Sequence, residues 1–574
     1  MIPSLTLNLV DTPDDVLAFK DWIEALDEPV AFDTETTGLK WWTPRFTRLA
    51  QWGTRDEGWA VPIDWYGRLV HWAMQRVRDK GLPVIMHNCK FDMHALEGDG
   101  YPVPEWRNVH DTMVMHHLLH PHHPHGLKPI TTGMFGGWAG AGETILKEAM
   151  RLYGYNWDTV PVDCPYYWAY GIVDTILTRR LFDVQRSVIS EQAYENEMAY
   201  VAIMYRAERR GMRIDVEYCE QLRRAWLGDV QNLAMQLKHN GIENPNSNRL
   251  VESALRELGW TPDDYTETGQ AQLDKIVLAE LKQIPGRIGE IAEVLVEYKR
   301  KTKWISTYLD TFINDRDDND RVHASVRTLG ARTGRSSITG PPLQTLPHTA
   351  EIRNAVLPYE GEQLWAVDYS GQEYRILAAL SQDPAWLHEF RHGAGDPHTM
   401  VAEMLGIQRD QAKTFNFAMV YGAGPKKLAA STGLSVTQVQ HFLKVYAQRF
   451  PQVSEFIQNV QRQGMRQLRE GQEPFVTTVG GRKVYGEEDR LFALTNYLIQ
   501  GSGADVLKQA VIRLDQQGLA DHIIVPVHDE LVLSLPDHVP GHAVAAIMTD
   551  TTSFDLELTA EPEGPFPNWG AKYA

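Results

Sequence analysis

Trp365–Leu380 reads WAVDYSGQEYRILAAL, and with Ile523–Leu535, IIVPVHDELVLSL, it decides the fold. Leu364–Val367 is a short apolar run bounded by polar residues. It predicts a strand ending at Asp368, with a helix beginning at about Gln372. Ile523–Val527 and Leu531–Leu535 predict two strands joined by a turn at His528-Asp529-Glu530. A strand end and a hairpin tip can bring Asp368 and Asp529 to one point. Two carboxylates there are costly unless a cation lies between them. Mg²⁺ is the cation that takes oxygen ligands and keeps phosphates in its shell. The chemistry this predicts is phosphoryl transfer, driven by positioning and charge.

A third segment, Arg409–Gly424 (RDQAKTFNFAMVYGAG), supports that reading. Arg409, Lys413, Phe417 and Tyr421 recur every fourth residue, so on a helix they form one stripe. Two cations followed by two aromatic rings are poor core material for a helix face. They suit a triphosphate, with Arg409 and Lys413 on phosphate oxygens and Phe417 against sugar and base. Gly422 would let a base approach the backbone closely.

The N-terminal third carries a second set of carboxylates. Val30–Phe32 predicts a strand running into Asp33-Thr34-Glu35, and residues two apart on a strand share a face. In HNCKFDMHAL, Asn88, Phe91 and Asp92 fall near the start of a helix; in YWAYGIVDTILTRRLF, Tyr170 and Asp174 lie four apart on one helical face. Four carboxylates at one point can hold two divalent cations about 4 Å apart and stabilise both oxygens of a phosphodiester displacement. Tyr170 would orient the attacking water. Asp111 is better read as a helix cap.

The ordered set DTETTGL, N-x2-FD and Y-x3-D, over about Pro29 to Phe182, resembles the DEDD-type proofreading exonucleases of the tyrosine-containing subgroup. From about Glu191 onward, TGR-x-S with PxLQxxP, DYS-x2-E-x-R, R-x3-K-x3-F-x3-YG, QGSGAD and HDE resemble family A, the polymerase I type of DNA polymerase. The resemblance implies an RNase H-like exonuclease domain followed by a right hand of palm, fingers and thumb, a multidomain α/β and α+β protein. It implies Mg²⁺ at both sites, with Mn²⁺ able to substitute: Asp33, Glu35, Asp92 and Asp174 in one, Asp368 and Asp529 in the other. It places His398 with Arg409, Lys413, Phe417 and Tyr421 around the incoming dNTP. Glu373 stands where the family carries the gate that excludes a 2′-hydroxyl, which favours DNA over RNA synthesis. Arg335, Arg482, Asn496, Gln500 and His528 fall where the family contacts primer-template DNA, partly through minor-groove acceptors common to all correct pairs. The family usually reads DYSQIE where this chain has DYSGQE, so Gly371 and Gln372 put the packing beneath the gate in question.

Three blocks are expected: residues 1–190, α/β, the exonuclease; 191–320, mostly helical, the thumb; and 321–574, palm and fingers, with the fingers at about 382–490. The chain begins almost at the exonuclease strand, leaving no room for a 5′-nuclease domain. That compactness looks more like a bacteriophage replicative enzyme than a repair or gap-filling polymerase. A dedicated exonuclease or a DNA-binding protein with dead sites would predict substituted carboxylates, and none is substituted.

Composition sets looser bounds. With 574 residues, one hydrophobic core is not expected. The net charge of −19 is a global sum and does not exclude a local phosphate-binding surface. Between Arg321 and Arg353, five arginines (with Arg327, Arg332 and Arg335) are opposed only by Glu351. No transmembrane span or secretory leader is read, so a cytoplasmic protein is expected. Cys89, Cys164 and Cys219 are too scattered for a disulfide framework or zinc site. His116–His125 (HHLLHPHHPH) reads as a polar loop leading into Gly126-Leu127-Lys128, not as a metal site. A monomer is expected. The block near Asn244–Ile284 is where a processivity factor would dock, but no motif there specifies a clamp, helicase or primase.

Overall fold

The computed structural model describes residues 4–266, 269–393, 395–420 and 424–574, without the side chains of Phe417 and Val420. Tyr421 and Gly422 lie outside the described residues. Two compact units form: Met1–Arg210 with Val326–Ser337 and Trp365–Pro565, and Gly211–Ser325 with Ile338–Leu364 and Phe566–Ala574.

The first unit holds a six-stranded sheet built from β1 (Thr6–Leu9), β2 (Val30–Thr36), β3 (Thr47–Gly53), β4 (Glu57–Pro62), β5 (Val84–Met86) and β6 (Val109–Asp111), in the order β1-β4-β3-β2-β5-β6. The strands β2, β3 and β4 are an antiparallel meander, while β5 and β6 add parallel to β2. That is the RNase H-like arrangement. Both faces of β2 are covered, so Val30, Ala31 and Phe32 are buried without alternation and pack with Trp52, Val84 and Met93. Helix Pro165–Arg186 starts with proline at its first turn, where no N–H is lost to the helix. It lies so close to β3 that a Cβ at Gly171 would collide with the Gln51 amide. This approach brings the helix face bearing Tyr170 and Asp174 toward β2.

A four-stranded sheet in the same unit has the order Ile523–Val527, Glu530–Pro536, Glu362–Tyr369, Ala560–Phe566. The hairpin pairs Val527 with Glu530, which leaves His528 and Asp529 as its turn. His528 takes a left-handed backbone, φ 59°. Helix Gln372–Ser381 follows the central strand, as expected. The second unit is largely helical: Val216–His239 and Arg287–Trp304 pack around Leu237, Val251, Leu255, Leu281, Ile291 and Leu295. No helix among the described residues is long and apolar enough to cross a membrane.

Two readings are corrected here. His116 and His117 are not in a loop; they occupy the last turn of helix Thr112–Leu119 and are buried. Arg353 does not join a basic surface. It is 1% exposed, donates to the Leu346 and Pro347 carbonyls, and lies under the Trp569 and Tyr573 rings. Asp111 caps helix Thr112–Leu119 by accepting from the Met113 and Val114 amides, and the three cysteines are free.

Candidate active sites

In the N-terminal site, Asp33, Thr34 and Glu35 sit on β2 beside a bulge between Glu35 and Thr36. Asp92 stands in the first turn of helix Cys89–Gly98, whose preceding residue, Asn88, has φ 74°. Asp92 is tied to β2 because its Oδ1 accepts from the Thr34 amide at 2.9 Å and from the Thr34 hydroxyl at 2.7 Å. Asp174 and Tyr170 come from the helix on β3. The sequence-predicted groups therefore converge from three elements.

Their electrostatics are those of carboxylates crowded out of water. Burial pushes the Asp33 carboxyl up to about 7, against the pull of the Lys128 ammonium. Glu35 and Asp92 are raised well above the carboxylate range by burial first and by the Asp33 charge next. Burial and then the Glu35 charge likewise hold the Tyr170 phenol neutral. Lys128, in helix Leu127–Phe135, was not singled out in the sequence. Its Nζ donates to Asp174 Oδ1 and lies 4.6 Å from the Tyr170 ring centre. Among the described residues, no three His, Cys, Asp or Glu side chains stand ready in metal-ligand geometry. The donor set still fits a divalent cation: hard oxygen ligands, Glu35, Asp92 and Asp174 buried and Asp33 half-buried, already attended by one ammonium.

In the C-terminal site, Asp368 is at the end of the central strand, and Asp529 is at the tip of the hairpin beside it; both are half-buried. Asp529 lies close enough to help raise the Tyr369 phenol, for which burial is the main cause. Glu373 Oε1 accepts from Arg335 Nη2 at 2.5 Å, so the two groups expected at the sugar and the minor groove hold each other. The DYSGQE departure is accommodated locally. Gly371 takes φ 62°, a left-handed backbone suited to glycine, at the start of helix Gln372–Ser381. Gln372 is 3% exposed, and its Nε2 donates to the Gly503 carbonyl in helix Leu494–Gln516 at 3.2 Å.

Helix Arg409–Val420 forms and carries Arg409 and Lys413, with Lys413 exposed on it. Arg409 Nε pairs with Asp396 Oδ2 at 2.7 Å. Burial tends to raise the Asp396 carboxyl, yet Arg409, Thr399 and two backbone amides hold it below the usual range. His398 is 9% exposed, its Nδ1 accepts from Asn416 Nδ2 at 3.2 Å, and its ring meets the Tyr374 ring edge-on at 4.8 Å. Asn496 and Gln500 share one face of helix Leu494–Gln516, Asn496 buried and Gln500 half-buried.

Arg482 stands apart from the other DNA-contact candidates. It is 5% exposed, with Nη2 on Glu197 and on Asp505 at 3.0 Å, and Lys508 Nζ joins Glu197 at 2.8 Å. A guanidinium committed in this way anchors helix Leu494–Gln516 to helix Glu191–Arg210. Truncating one member of a buried pair leaves an uncompensated charge. Arg482→Ala is therefore expected to cost about 3–5 kcal/mol of stability, read by thermal melting, beyond any change in DNA affinity.

A strand-end aspartate beside a hairpin aspartate, on one chain with a carboxylate-lined RNase H-like sheet, is the arrangement of a nucleotidyl transferase carrying a nuclease. Residues 216–569 match the family described as DNA polymerase family A, and residues 10–187 match a 3′-5′ exonuclease family. The chain belongs to the family A DNA polymerases and carries a 3′-5′ exonuclease domain. The DNA polymerase of Mycobacterium phage L5 is 31% identical, with 99% of this chain and 97% of the relative covered. That of Mycobacterium phage D29 is 30% identical with the same coverage. DNA polymerase I of Pseudomonas aeruginosa is 27% identical over 97% of this chain and 65% of its own length. A solved structure, the POL domain of Pol1 from M. smegmatis in complex with DNA primer-template and dNTP, shares the fold at TM-score 0.77 and 22% identity, covering 98% of this chain and 99% of that one.

Proposed function

We propose that the enzyme copies a phage genome in the cytoplasm of a bacterial host, extending primers at Asp368 and Asp529 and proofreading at Asp33, Glu35, Asp92 and Asp174. The observation that carries this is two carboxylate clusters on separate sheets of one chain, with full-length likeness to two mycobacteriophage DNA polymerases. Each site would hold two Mg²⁺, which activate the attacking oxygen and take charge from the leaving oxygen. The chain's own groups do the rest. Arg409 and Lys413 draw the triphosphate along one helix face. Glu373 stands against the 2′ position, and Arg335 leaves it for the minor groove when DNA arrives. Asn496 and Gln500 offer donors to base edges from one helix face, and His528 lies beside the primer terminus. In the other site, Tyr170 donates to the attacking water and Asp92 is held in place by Thr34. Residues 1–190, 191–320 and 321–574 serve as exonuclease, thumb, and palm with fingers, and the enzyme acts as a monomer. Any processivity factor, helicase or primase would be recruited by surfaces that carry no readable motif.

The reading is tested with a primed template and Mg²⁺: extension with dNTPs present, and 3′ shortening with dNTPs omitted. Inertness in both would overturn it. A narrower expectation concerns Phe417, which stands where the family sets acceptance of dideoxynucleotides. Phe417→Tyr is expected to raise dideoxynucleotide incorporation at least ~100-fold relative to dNTPs, a difference of about 2.7 kcal/mol. Equal incorporation by both proteins on a sequencing ladder would count against that role.

A further inference from the structure

Lys128 is a buried cation that neither proposed mechanism uses. It follows the histidine-rich segment directly, in the first turn of helix Leu127–Phe135. Its side chain is 12% exposed, and that of its partner, Asp174, is 10% exposed. An ordinary structural ion pair satisfies one carboxylate. Lys128 instead faces carboxylates from two elements: it bonds Asp174 on helix Pro165–Arg186 and lowers Asp33 and Glu35 on β2 by its charge. The ammonium also sits 4.6 Å from the centre of the Tyr170 ring, on the electron-rich system that attracts a cation. Asp174, Asp33 and Glu35 thus share a single positive charge supplied by the chain itself.

We propose that Lys128 is the resident counter-cation of the exonuclease site, holding Asp174 and Tyr170 in place and competing with a divalent metal ion for Asp174. This rests on the reading of Asp33, Glu35, Asp92 and Asp174 as metal ligands. Metal entry then requires the ammonium to leave Asp174, and Lys128 acts as a positioning residue that sets how much metal the site demands. The proofreading site would load at a higher metal concentration than its bare carboxylates would need, whereas the polymerase site, far along the sequence and built on another sheet, would be unaffected.

The test is an Mn²⁺ titration of the full-length protein followed by electron paramagnetic resonance. Asp33→Ala identifies which bound ions belong to the exonuclease site; if it removes none, the ligand reading itself fails, whatever Lys128 does. With those ions identified, Lys128→Met is expected to bind them about tenfold more tightly, while Lys128→Arg stays near the wild type. In the absence of metal, Lys128→Met should also melt below the wild type, with the gap closing as Mn²⁺ is added. Extension of a matched primer reports that the variants are folded; if Lys128→Met does not extend, Lys128→Gln takes its place in the titration. Unchanged or weaker Mn²⁺ binding in the folded, uncharged variant would overturn the proposal, since a merely structural lysine loosens the site when removed.

Discussion

Replacing Asp529 by Ala is expected to slow primer extension by at least ~10³-fold, about 4 kcal/mol of transition-state stabilisation, and to leave 3′ shortening within about twofold of wild type. The loss is large because Asp529 occupies the turn between two strands that are themselves buried, so no neighbour can swing in to replace it. The side chain is only half-buried, and its removal opens no cavity in the sheet. Stability should therefore change little, and the defect should lie in the chemical step. Single-turnover incorporation, measured with circular dichroism as a check on folding, separates these effects. A variant that extends at more than a tenth of the wild-type rate would remove Asp529 from the reaction.

The second large effect is expected from Asp33→Ala, which should lower 3′ shortening by at least ~10³-fold while extension persists. Here the thermodynamics differ. Asp33 is held at about 7 by burial, against the 3.8 usual for an aspartate in water. Between those pH values the folded chain binds the proton more tightly than the unfolded chain, so this group's contribution makes stability fall as pH rises. At neutral pH the carboxyl is a burden on the metal-free fold. Asp33→Ala without metal should then melt no lower than the wild type at pH 7, and Mg²⁺ should stabilise it less. A metal-free variant that melts well below the wild type would contradict the electrostatic description of the site. Because a metal ion must displace the proton that Asp33 retains up to about 7, wild-type metal affinity should also rise with pH through that range.

Much of this architecture was legible because the decisive segments carry two signals at once. In Trp365–Leu380, the change from a short apolar run to helical spacing locates the strand end, and the carboxylate falls at that change. In Ile523–Leu535 the polar residues between two apolar runs locate the turn, which His528 and Asp529 make while Glu530, read as part of it, pairs with Val527 and opens the second strand. Val30–Glu35 and the Tyr170–Asp174 pair were readable for the same reason: the spacing assigns the element and the shared face. What was not legible depended on partners distant in sequence. Lys128 looks like any loop-exit lysine until the helix bearing Asp174, 46 residues on, packs beside it. Arg482 matches a DNA-contact motif, but Glu197 lies 285 residues away and takes its guanidinium into the interior. His116 and His117 read as polar because histidine is ambiguous, and only the helix they complete shows which face they occupy. Gln372 looked like a packing fault until Gly503, with no side chain of its own, offered its carbonyl.

The independence of the two carboxylate clusters is tested most directly with a primer bearing a 3′-terminal mismatch, incubated with Mg²⁺ and all four dNTPs and resolved on a gel. The wild type should trim the mismatch and extend to full length. Asp33→Ala should extend the mismatched end only poorly while extending a matched primer normally, and Asp529→Ala should shorten the primer without extending it. If either single change abolished both trimming and extension in a folded protein, the two activities would not reside in two separate sites.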